Sequence, residues 1–324
     1  MSYLVMDIET VPDRTMWAPA AEPVEVPKIR LKDGKPPTKG EVEFLKIVMD
    51  RAKTQATVHP ADIDKAIDIA SRGDVEKDGE DGPSIKLLKQ IAEDNLPEKK
   101  DQIAPPQAQR PIVIGCLWLG DDLAVKHLGA ITALKHGYDK ETKTFDERSL
   151  LVAWSEFIAK ERLTIVDWNG RTFDMPVLAL RSFRHAVPLR WYYADKDYRY
   201  RYSDDKHLDL MDALTDYGAV RNLGFKLDVF AKAVGLPGKY GVDGSMVEGM
   251  FLEGKIQDIE TYCLTDVIQT GFLFLRHLLL KGRIPIAEYK KAAENLLVHI
   301  QSDRRFNEFC KLIETDALLL SNIG

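Results

Sequence analysis

Apolar positions follow strand or helix periods over most of the chain. Short β-prone apolar runs predict strands at residues 3–8, 111–119, 123–128, 163–168 and 208–211. Apolar positions spaced three and four residues apart predict helices at 146–162, 173–184, 226–234 and 257–280, with one or two closing helices in 285–320. Strands that alternate with helices in this order predict an α/β fold with a mixed sheet and helices on both faces.

Residues 17–109 interrupt this pattern. The stretch is rich in Pro, Lys, Glu and Asp and poor in aromatic residues, and helical spacing within it is confined to 41–56, 63–70 and 85–92. We therefore predict a core domain formed by 1–16 and 110–284, a helical and partly mobile insertion at 17–109, and a C-terminal helical extension at 285–324.

The charge balance narrows the functional classes. The chain has 324 residues, with 45 Lys and Arg against 51 Asp and Glu, and a net charge of −6. This balance excludes proteins that hold nucleic acid by bulk positive charge, whereas a local basic groove is compatible with it.

The cysteines and the apolar runs indicate the cellular compartment in which we expect the protein. The three cysteines are far apart in sequence and indicate neither a zinc ribbon nor a disulfide framework, so we expect a reducing, cytoplasmic environment. No basic leader precedes an apolar run at the start of the sequence, which argues against a secretory signal. The apolar run at 271–280 is interrupted by Arg276 and is too short to span a bilayer, so no membrane association is expected.

Two acids lie at the end of the first predicted strand. Because side chains of a strand alternate between its faces, Asp7 and Glu9 share one face with Tyr3 and Val5. Neighbouring carboxylates in a strand built for burial repel each other and need a cation. The alternative is that the strand ends at Met6 and both acids are solvated.

Two further acids interrupt the helical pattern. Asp174 follows the strand at 163–168 and opens a helix, where it also fits the ordinary role of an acid in the first turn. Asp266 lies one turn from Tyr262 on the inward face of the helix at 257–280. A charge at that position needs either a basic partner or a bound cation.

The four acids together predict one metal centre. Oxygen ligands suit Mg²⁺ or Mn²⁺, and the sequence has no Cys/His cluster that would favour zinc. Two such cations, about 3.5–4 Å apart, can clamp a phosphodiester in line for hydrolysis. The Tyr262 hydroxyl, one turn from Asp266, is placed to orient the attacking water.

Three ordered motifs carry a resemblance to a known family. Asp-Ile-Glu-Thr at 7–10, Asn-x-x-x-Phe-Asp at 169–174 and Tyr-x-x-x-Asp at 262–266 resemble the motifs of DEDD-type 3′–5′ exonucleases, in the branch that carries a tyrosine (DEDDy). The chain is most similar to stand-alone exonucleases related to the proofreading domain of family B DNA polymerases. The resemblance covers 1–12 and 111–280 and implies an RNase H-like fold.

The resemblance also implies roles for individual residues. The metal-binding carboxylates of that family match Asp7, Glu9, Asp174 and Asp266, and the tyrosine that orients water matches Tyr262. The positions that contact the terminal nucleotides match Thr10, Asn169 and, by stacking, Phe173. Either Lys226 or Lys239 matches the phosphate-contacting lysine. Asp209, at the end of a strand-like segment, is favoured as a capping acid over a metal ligand.

The segment 190–202 interleaves aromatic residues with arginines, in the order RWYYADKDYRYRY. Such a pattern is typical of surfaces that stack bases and bind phosphates, which predicts that Arg199 and Arg201 contact a single strand. The alternatives are a pair of strands with exposed aromatic side chains, or a dimer interface.

These patterns predict a metal-dependent exonuclease that releases 5′-mononucleotides from the free 3′ end of single-stranded nucleic acid. DNA is the favoured substrate, and two divalent cations, Mg²⁺ or Mn²⁺, are the expected cofactors. The alternative is a catalytically silent nucleic-acid-binding or scaffold protein on the same fold.

Overall fold

The structure, a computed structural model, describes residues 2–18, 65, 104–220, 225–239, 241 and 244–323. The chain divides into two compact units, Met1–Trp17 with Ala104–Gly324, and Ala18–Ile103. Only Ala18 and Lys65 of the second unit are described. The helices predicted at 41–56 and 85–92 therefore lie outside the described residues, as does the helix predicted at 63–70 apart from Lys65, which is helical. The strands and helices given below belong to the first unit.

A mixed sheet of five strands forms the centre of this unit. The strands are β1 (Tyr3–Pro12), β2 (Gln109–Leu119), β3 (Val125–Thr132), β4 (Thr164–Asp167) and β5 (His207–Asp209). Their order is β3-β2-β1-β4-β5. The pairs β1–β2 and β2–β3 are antiparallel, whereas β1–β4 and β4–β5 are parallel. The predicted α/β class with a mixed sheet is therefore confirmed.

The described α-helices include those predicted at 146–162, 173–184, 226–234 and 257–280 and three that were not predicted, α3, α4 and α6. They are α1 (Glu147–Glu161), α2 (Asp174–Arg184), α3 (Arg190–Ala194), α4 (Leu210–Leu214), α5 (Leu227–Ala233), α6 (Val247–Glu253), α7 (Ile256–Leu280), α8 (Ile286–Gln301), α9 (Asn307–Lys311) and α10 (Thr315–Leu318).

Three predicted segments differ from the structure. The strand predicted at 208–211 ends at Asp209, because the carboxylate of Asp209 accepts hydrogen bonds from the amides of Met211 and Asp212 (3.0 and 3.2 Å) and starts α4. The hairpin strand predicted from residue 123 begins at Val125, since Leu123 has a φ of 59° and belongs to the turn. The segment at 285–320 forms α8, α9 and α10 rather than one or two helices.

Side chains of β1 alternate between two apolar cores, as the strand period predicts. Leu4, Met6 and Ile8 pack in the cluster that includes residues of α1 and α2. Val5 packs instead in the cluster that includes α7 and α8. Since Asp7 and Glu9 continue the Val5 face, the strand directs both carboxylates toward α7.

Helix α7 is the longest described helix, with 25 residues. Its most apolar window has a mean hydropathy of 1.3, so by length and composition it could span a membrane, although 78% of that window is buried inside the structure. The apolar run at 271–280 is shorter than the helix to which it belongs. Polar residues on other turns of α7 interrupt the run without ending the helix. Burial within the fold accounts for its apolar composition.

Candidate active site

The centre of the site is the pair of acids on β1. Asp7 lies opposite Gly115 of β2, and the strand register shifts between Glu9 and Thr10, so an irregularity follows directly after Glu9. Irregularities of this kind locally bend a strand and re-aim its side chains. One ligand atom each of Asp7, Glu9 and Cys263 lies within 4.8 Å of the others.

Gly115 allows α7 to approach the sheet at this point. A Cβ atom on Gly115 would lie 2.9 Å from the Cys263 sulphur and 2.8 Å from a methyl group of Val267. With no side chain there, the Cys263 thiol reaches the backbone oxygen of Asp7 at 3.4 Å and its carboxylate at 3.5 Å. The thiol therefore forms part of the site, a contact that sequence reasoning missed although Cys263 follows Tyr262 directly.

Asp174 joins the same centre from α2. The backbone amide of Ile8 donates a hydrogen bond of 3.1 Å to the Asp174 carboxylate, so this acid is held against the strand between Asp7 and Glu9. The turn before α2 depends on Asn169, whose φ of 65° lies in the left-handed region that asparagine tolerates. Asp174 is thus both the first residue of α2 and a member of the acidic cluster.

Asp266 completes the cluster from α7. The hydroxyl of Tyr262, one turn earlier, hydrogen-bonds to the Asp266 carboxylate. The Gln269 amide donates a second hydrogen bond at 3.3 Å, and the oxygen of that amide accepts one from the Gly238 backbone at 2.8 Å. The side chain of Asp266 is therefore fixed from both ends of its own helical turn.

The pKa of each of the four acids is raised. Burial is the largest cause for each of them, and it is followed for Asp7 by the charges of Asp174, Glu9 and Asp266 and for Glu9 by Asp266 and Asp174. Burial also raises the pKa of Asp174, with further contributions from Asp167 and Asp209. Burial raises the pKa of Asp266 to about 7 against the opposing effects of Tyr262, Gln269 and Lys239.

This donor set fits a hard divalent cation. Among the described residues, no Lys, Arg or His forms an ion pair with any of the four carboxylates, so the mutual repulsion is not relieved by a basic side chain at contact distance. Clustered carboxylate oxygens are the ligands that Mg²⁺ and Mn²⁺ prefer. Asp7, Glu9, Asp174 and Asp266 are the residues that could hold such ions.

The residues predicted to contact nucleotides lie close in sequence to acids of the cluster. The Thr10 hydroxyl donates to the Gln109 side chain at 2.9 Å. Phe173 directly precedes Asp174 and packs partly buried against the α1–α2 core. The backbone amide of Asn169 donates to Asp209 at 3.0 Å, and its side chain accepts from Thr172. Their predicted substrate contacts stay predictions.

The two candidate lysines differ in position. Lys226 is exposed and directly precedes α5. Lys239 is also exposed, but its charge lowers the pKa of Asp266, which places it within electrostatic reach of the acidic cluster. The structure therefore favours Lys239 over Lys226 as the lysine nearest the site.

Arg199 and Arg201 are not members of the acidic cluster and line the wall of a pocket beside β5. The surrounding segment forms α3 and a 3₁₀ turn at Lys196–Tyr198, not the pair of strands considered as an alternative. Asp209 acts as a capping acid, as expected. It also accepts hydrogen bonds from the amides of Asn169 and Arg171, and burial raises its pKa to about 6.

A buried acid–histidine pair was not predicted from the sequence. The ring of His207 and the carboxylate of Asp167 are 2.6 Å apart, and each side chain is 1% exposed. Asp167 also accepts a hydrogen bond from the Gly170 amide at 3.2 Å. The acid at the end of an apolar strand was the available signal for Asp167, whereas nothing in the local pattern identifies His207 as its partner.

Comparison with known proteins relates the chain to a protein family. No curated protein matches the chain. A family model described as a predicted 3′–5′ exonuclease related to the exonuclease domain of PolB matches residues 102–313, which is more than half of the chain. The matched range contains Asp174, Tyr262 and Asp266, whereas Asp7 and Glu9 precede it. The mixed sheet is consistent with the RNase H-like fold of such exonucleases, and the chain belongs to this family of predicted 3′–5′ exonucleases related to PolB.

Proposed function

We propose that the chain is a metal-dependent 3′–5′ exonuclease of the DEDDy type. It hydrolyses single-stranded nucleic acid from a free 3′ end and releases 5′-mononucleotides, with two divalent cations, Mg²⁺ or Mn²⁺, as cofactors. DNA is the favoured substrate, which the relationship of the family to a DNA polymerase domain supports.

The observation that carries this proposal is the convergence of acids from distant parts of the chain. Asp7 and Glu9 of β1, Asp174 of α2 and Asp266 of α7 influence one another's ionisation, although up to 259 positions separate them (266 − 7). A cluster of unneutralised carboxylates destabilises a fold unless it binds cations or protons. The presence of such a cluster next to Tyr262, a residue typical of the DEDDy exonucleases, supports a catalytic metal centre.

Different residues of the chain have different roles in the hydrolysis of the phosphodiester. When bound, the cations would activate the attacking water and stabilise the leaving 3′-oxygen. The four carboxylates hold the ions, and the Tyr262 hydroxyl orients the water for attack on phosphorus. The new bond joins the water oxygen to phosphorus, the bond from phosphorus to the 3′-oxygen breaks, and that oxygen takes up a proton.

Contacts to the terminal nucleotides follow from the residues around the cluster. Thr10 and Asn169 offer polar groups, and Phe173 offers a ring on which a base can stack. Lys239, or Lys226, supplies positive charge to a phosphate.

We also propose a cytoplasmic protein that acts without a membrane. Free cysteines at Cys116, Cys263 and Cys310 support a reducing environment. The burial of α7 within the core supports its assignment as a core helix.

An oligonucleotide assay tests the activity. Purified protein is incubated with 3′-labelled single-stranded DNA or RNA, with Mg²⁺, Mn²⁺ or EDTA, and the products are separated by length. Metal-dependent release of the labelled mononucleotide is expected, and the double variant Asp7→Ala with Glu9→Ala should abolish both this release and saturable Mn²⁺ binding.

A matched double variant controls for loss of acidic charge. Glu156→Ala with Glu294→Ala removes two exposed helical carboxylates and should leave activity and Mn²⁺ binding unchanged. Nucleic-acid binding with no release under any metal would instead identify a silent binding module, and absence of both binding and release would favour a scaffold.

A further inference from the structure

A pocket of about 200 Å³ lies beside β5, next to the loop that carries Asn169 and Phe173. Three arginines line it, Arg171, Arg199 and Arg201, together with the hydroxyl-bearing side chains of Thr172 and Tyr192. Asp212 is the single acid on its wall, so the lining carries a surplus of positive charge. This local charge contrasts with the net charge of −6 for the chain.

Each arginine is anchored by groups of the fold. Arg171 donates to the backbone oxygens of Ser203 and His207, and Arg199 donates to those of Tyr192 and Tyr193 at 3.2 and 3.4 Å. Arg201 makes a two-point contact with Asp212 at 2.8 and 2.6 Å. A guanidinium has five N–H donors, so these contacts fix each group without using all of its donors. The arginines are thus pre-positioned for an anion.

The pocket adjoins the acidic cluster through the start of α2. Thr172 and Met175 line the pocket, and the two residues between them are Phe173 and Asp174. The amide of Arg171 donates to Asp209, whose charge in turn raises the pKa of Asp174. The start of α2 is therefore shared by the pocket and by the acidic cluster.

Exposed aromatic side chains surround the same segment. Tyr193, Tyr200 and Tyr202 are 60%, 57% and 60% exposed. The rings of Tyr200 and Tyr202 are 5.8 Å apart, and Arg199 lies over the ring of Tyr193 at 5.3 Å. Exposed rings beside a cationic pocket suit bases that flank a phosphate, which favours a single strand over a free anion.

We propose that this arginine pocket binds an internal phosphodiester of the substrate strand, on the 5′ side of the linkage that is cut. The inference rests on the proposed function, since it places the strand relative to the acidic cluster. It assigns Arg171, Arg199 and Arg201 to one phosphate subsite and gives the three arginines a common ligand.

Neutral backbone linkages test the proposal directly. Oligonucleotides that each carry one uncharged methylphosphonate, at successive positions from the 3′ end, are titrated against the chain with Asp266→Asn, which prevents cleavage. One internal position should weaken binding by roughly 10- to 100-fold, the scale of a charge-assisted hydrogen bond. In the added variant Arg199→Gln, that penalty should become smaller at this position alone, because one of the three arginines is lost.

Salt dependence gives an independent readout. Loss of one phosphate contact should reduce the slope of log affinity against log salt by about 0.7 for a single strand. Arg199→Gln should show this reduction, and Arg199→Lys should restore most of the slope because it retains the charge. Arg304→Gln, an exposed arginine outside the pocket, should leave the slope unchanged. Circular dichroism of each variant confirms that it is folded.

Several outcomes would overturn the proposal. One is a methylphosphonate penalty that Arg199→Gln leaves unchanged at every position, and another is a slope in Arg199→Gln equal to that of the parent chain. A third combines two results: Arg199→Gln abolishes competition by a free 5′-mononucleotide, but it leaves the methylphosphonate penalties at internal positions unchanged. The pocket would then bind the mononucleotide product and not an internal phosphodiester. Failure of the proposed function appears separately, as binding with an intact linkage pattern but no metal-dependent release.

Discussion

Gly115 shows how a residue without a side chain shapes the site. It faces Asp7 across the β1–β2 pair, and the space it leaves is filled by Cys263 and Val267 of α7. The close approach brings the helix that carries Tyr262 and Asp266 to the strand that carries Asp7 and Glu9. The spacing of the acids therefore depends on a position that has no chemical role of its own.

Gly115→Ala should weaken both the fold and the site. The added methyl group would meet atoms of Cys263 and Val267 at 2.9 and 2.8 Å, so α7 has to move away from the sheet. We expect a loss of about 1–3 kcal/mol in the free energy of unfolding, measured by urea denaturation, and weaker Mn²⁺ binding.

Two companion variants sharpen this measurement. Gly249→Ala, on α6, meets no atom within 4 Å and should be neutral or slightly stabilising. Adding Cys263→Ala to Gly115→Ala should recover part of the lost stability, because one of the two close contacts disappears. Equal effects of the two glycine substitutions would contradict the steric explanation.

At the scale of elements, a buried charge network fixes the helices that support the site. Arg181 of α2 is 1% exposed and contacts Glu147 of α1 at 2.5 Å and Asp13, just after β1, at 3.0 Å. Burial disfavours the charged form of Asp13, but hydrogen bonds from Thr15 and Arg181 outweigh it and lower its pKa. One guanidinium thus joins three elements, two of which carry acids of the cluster.

Arg181→Ala should be strongly destabilising. Its removal leaves Glu147 and Asp13 buried without their closest counter-charge, and breaking a buried ion pair costs about 3–5 kcal/mol. Chemical denaturation measures the loss. Arg184→Ala is the control, since Arg184 is 43% exposed and 3.8 Å from Asp13, and its removal should cost at most about 1 kcal/mol. A similar small effect for both arginines would show that the network is dispensable.

At the scale of the whole molecule, the acidic cluster links folding to pH and metal. The raised pKa values mean that the folded chain binds more protons than the unfolded chain between the ordinary carboxylate pKa and the raised one. For Asp266 this interval runs from 3.8 to about 7. Stability conferred by protonation is therefore complete below the interval and is lost as the pH rises through it.

The thermal midpoint in EDTA should accordingly fall between pH 5 and pH 8. Asp266→Asn should flatten part of this fall, since it removes one of the titrating groups. Mn²⁺ should raise the midpoint more at pH 8 than at pH 5, because the ion competes with protons for the same oxygens. A midpoint in EDTA that is independent of pH, or that rises across this range, would contradict the clustered carboxylates.

The sequence predicts those parts of the fold and site that depend on local pattern. Alternation along the first strand predicts that Asp7 and Glu9 share one face, which in the structure is the face of Val5 toward α7, and helical spacing places Asp266 one turn from Tyr262. Contacts between distant segments leave no such pattern, which is why the Asp167–His207 pair and the position of Arg171 beside Arg199 were not foreseen. The insertion at 17–109 remains a prediction.

The position of β1 in the sheet has a consequence for how the chain folds. This strand is the third of five in the sheet, yet its residues precede the rest of the sheet by more than ninety positions. Its pairing with β2 and β4 is a contact of high sequence separation, which slows folding because loop closure must come first. A fragment that begins after the insertion would lack β1, so that β2 and β4 would have no strand between them. It would also lack two of the four acids, Asp7 and Glu9. Completion of the sheet and assembly of the acidic cluster are therefore the same event.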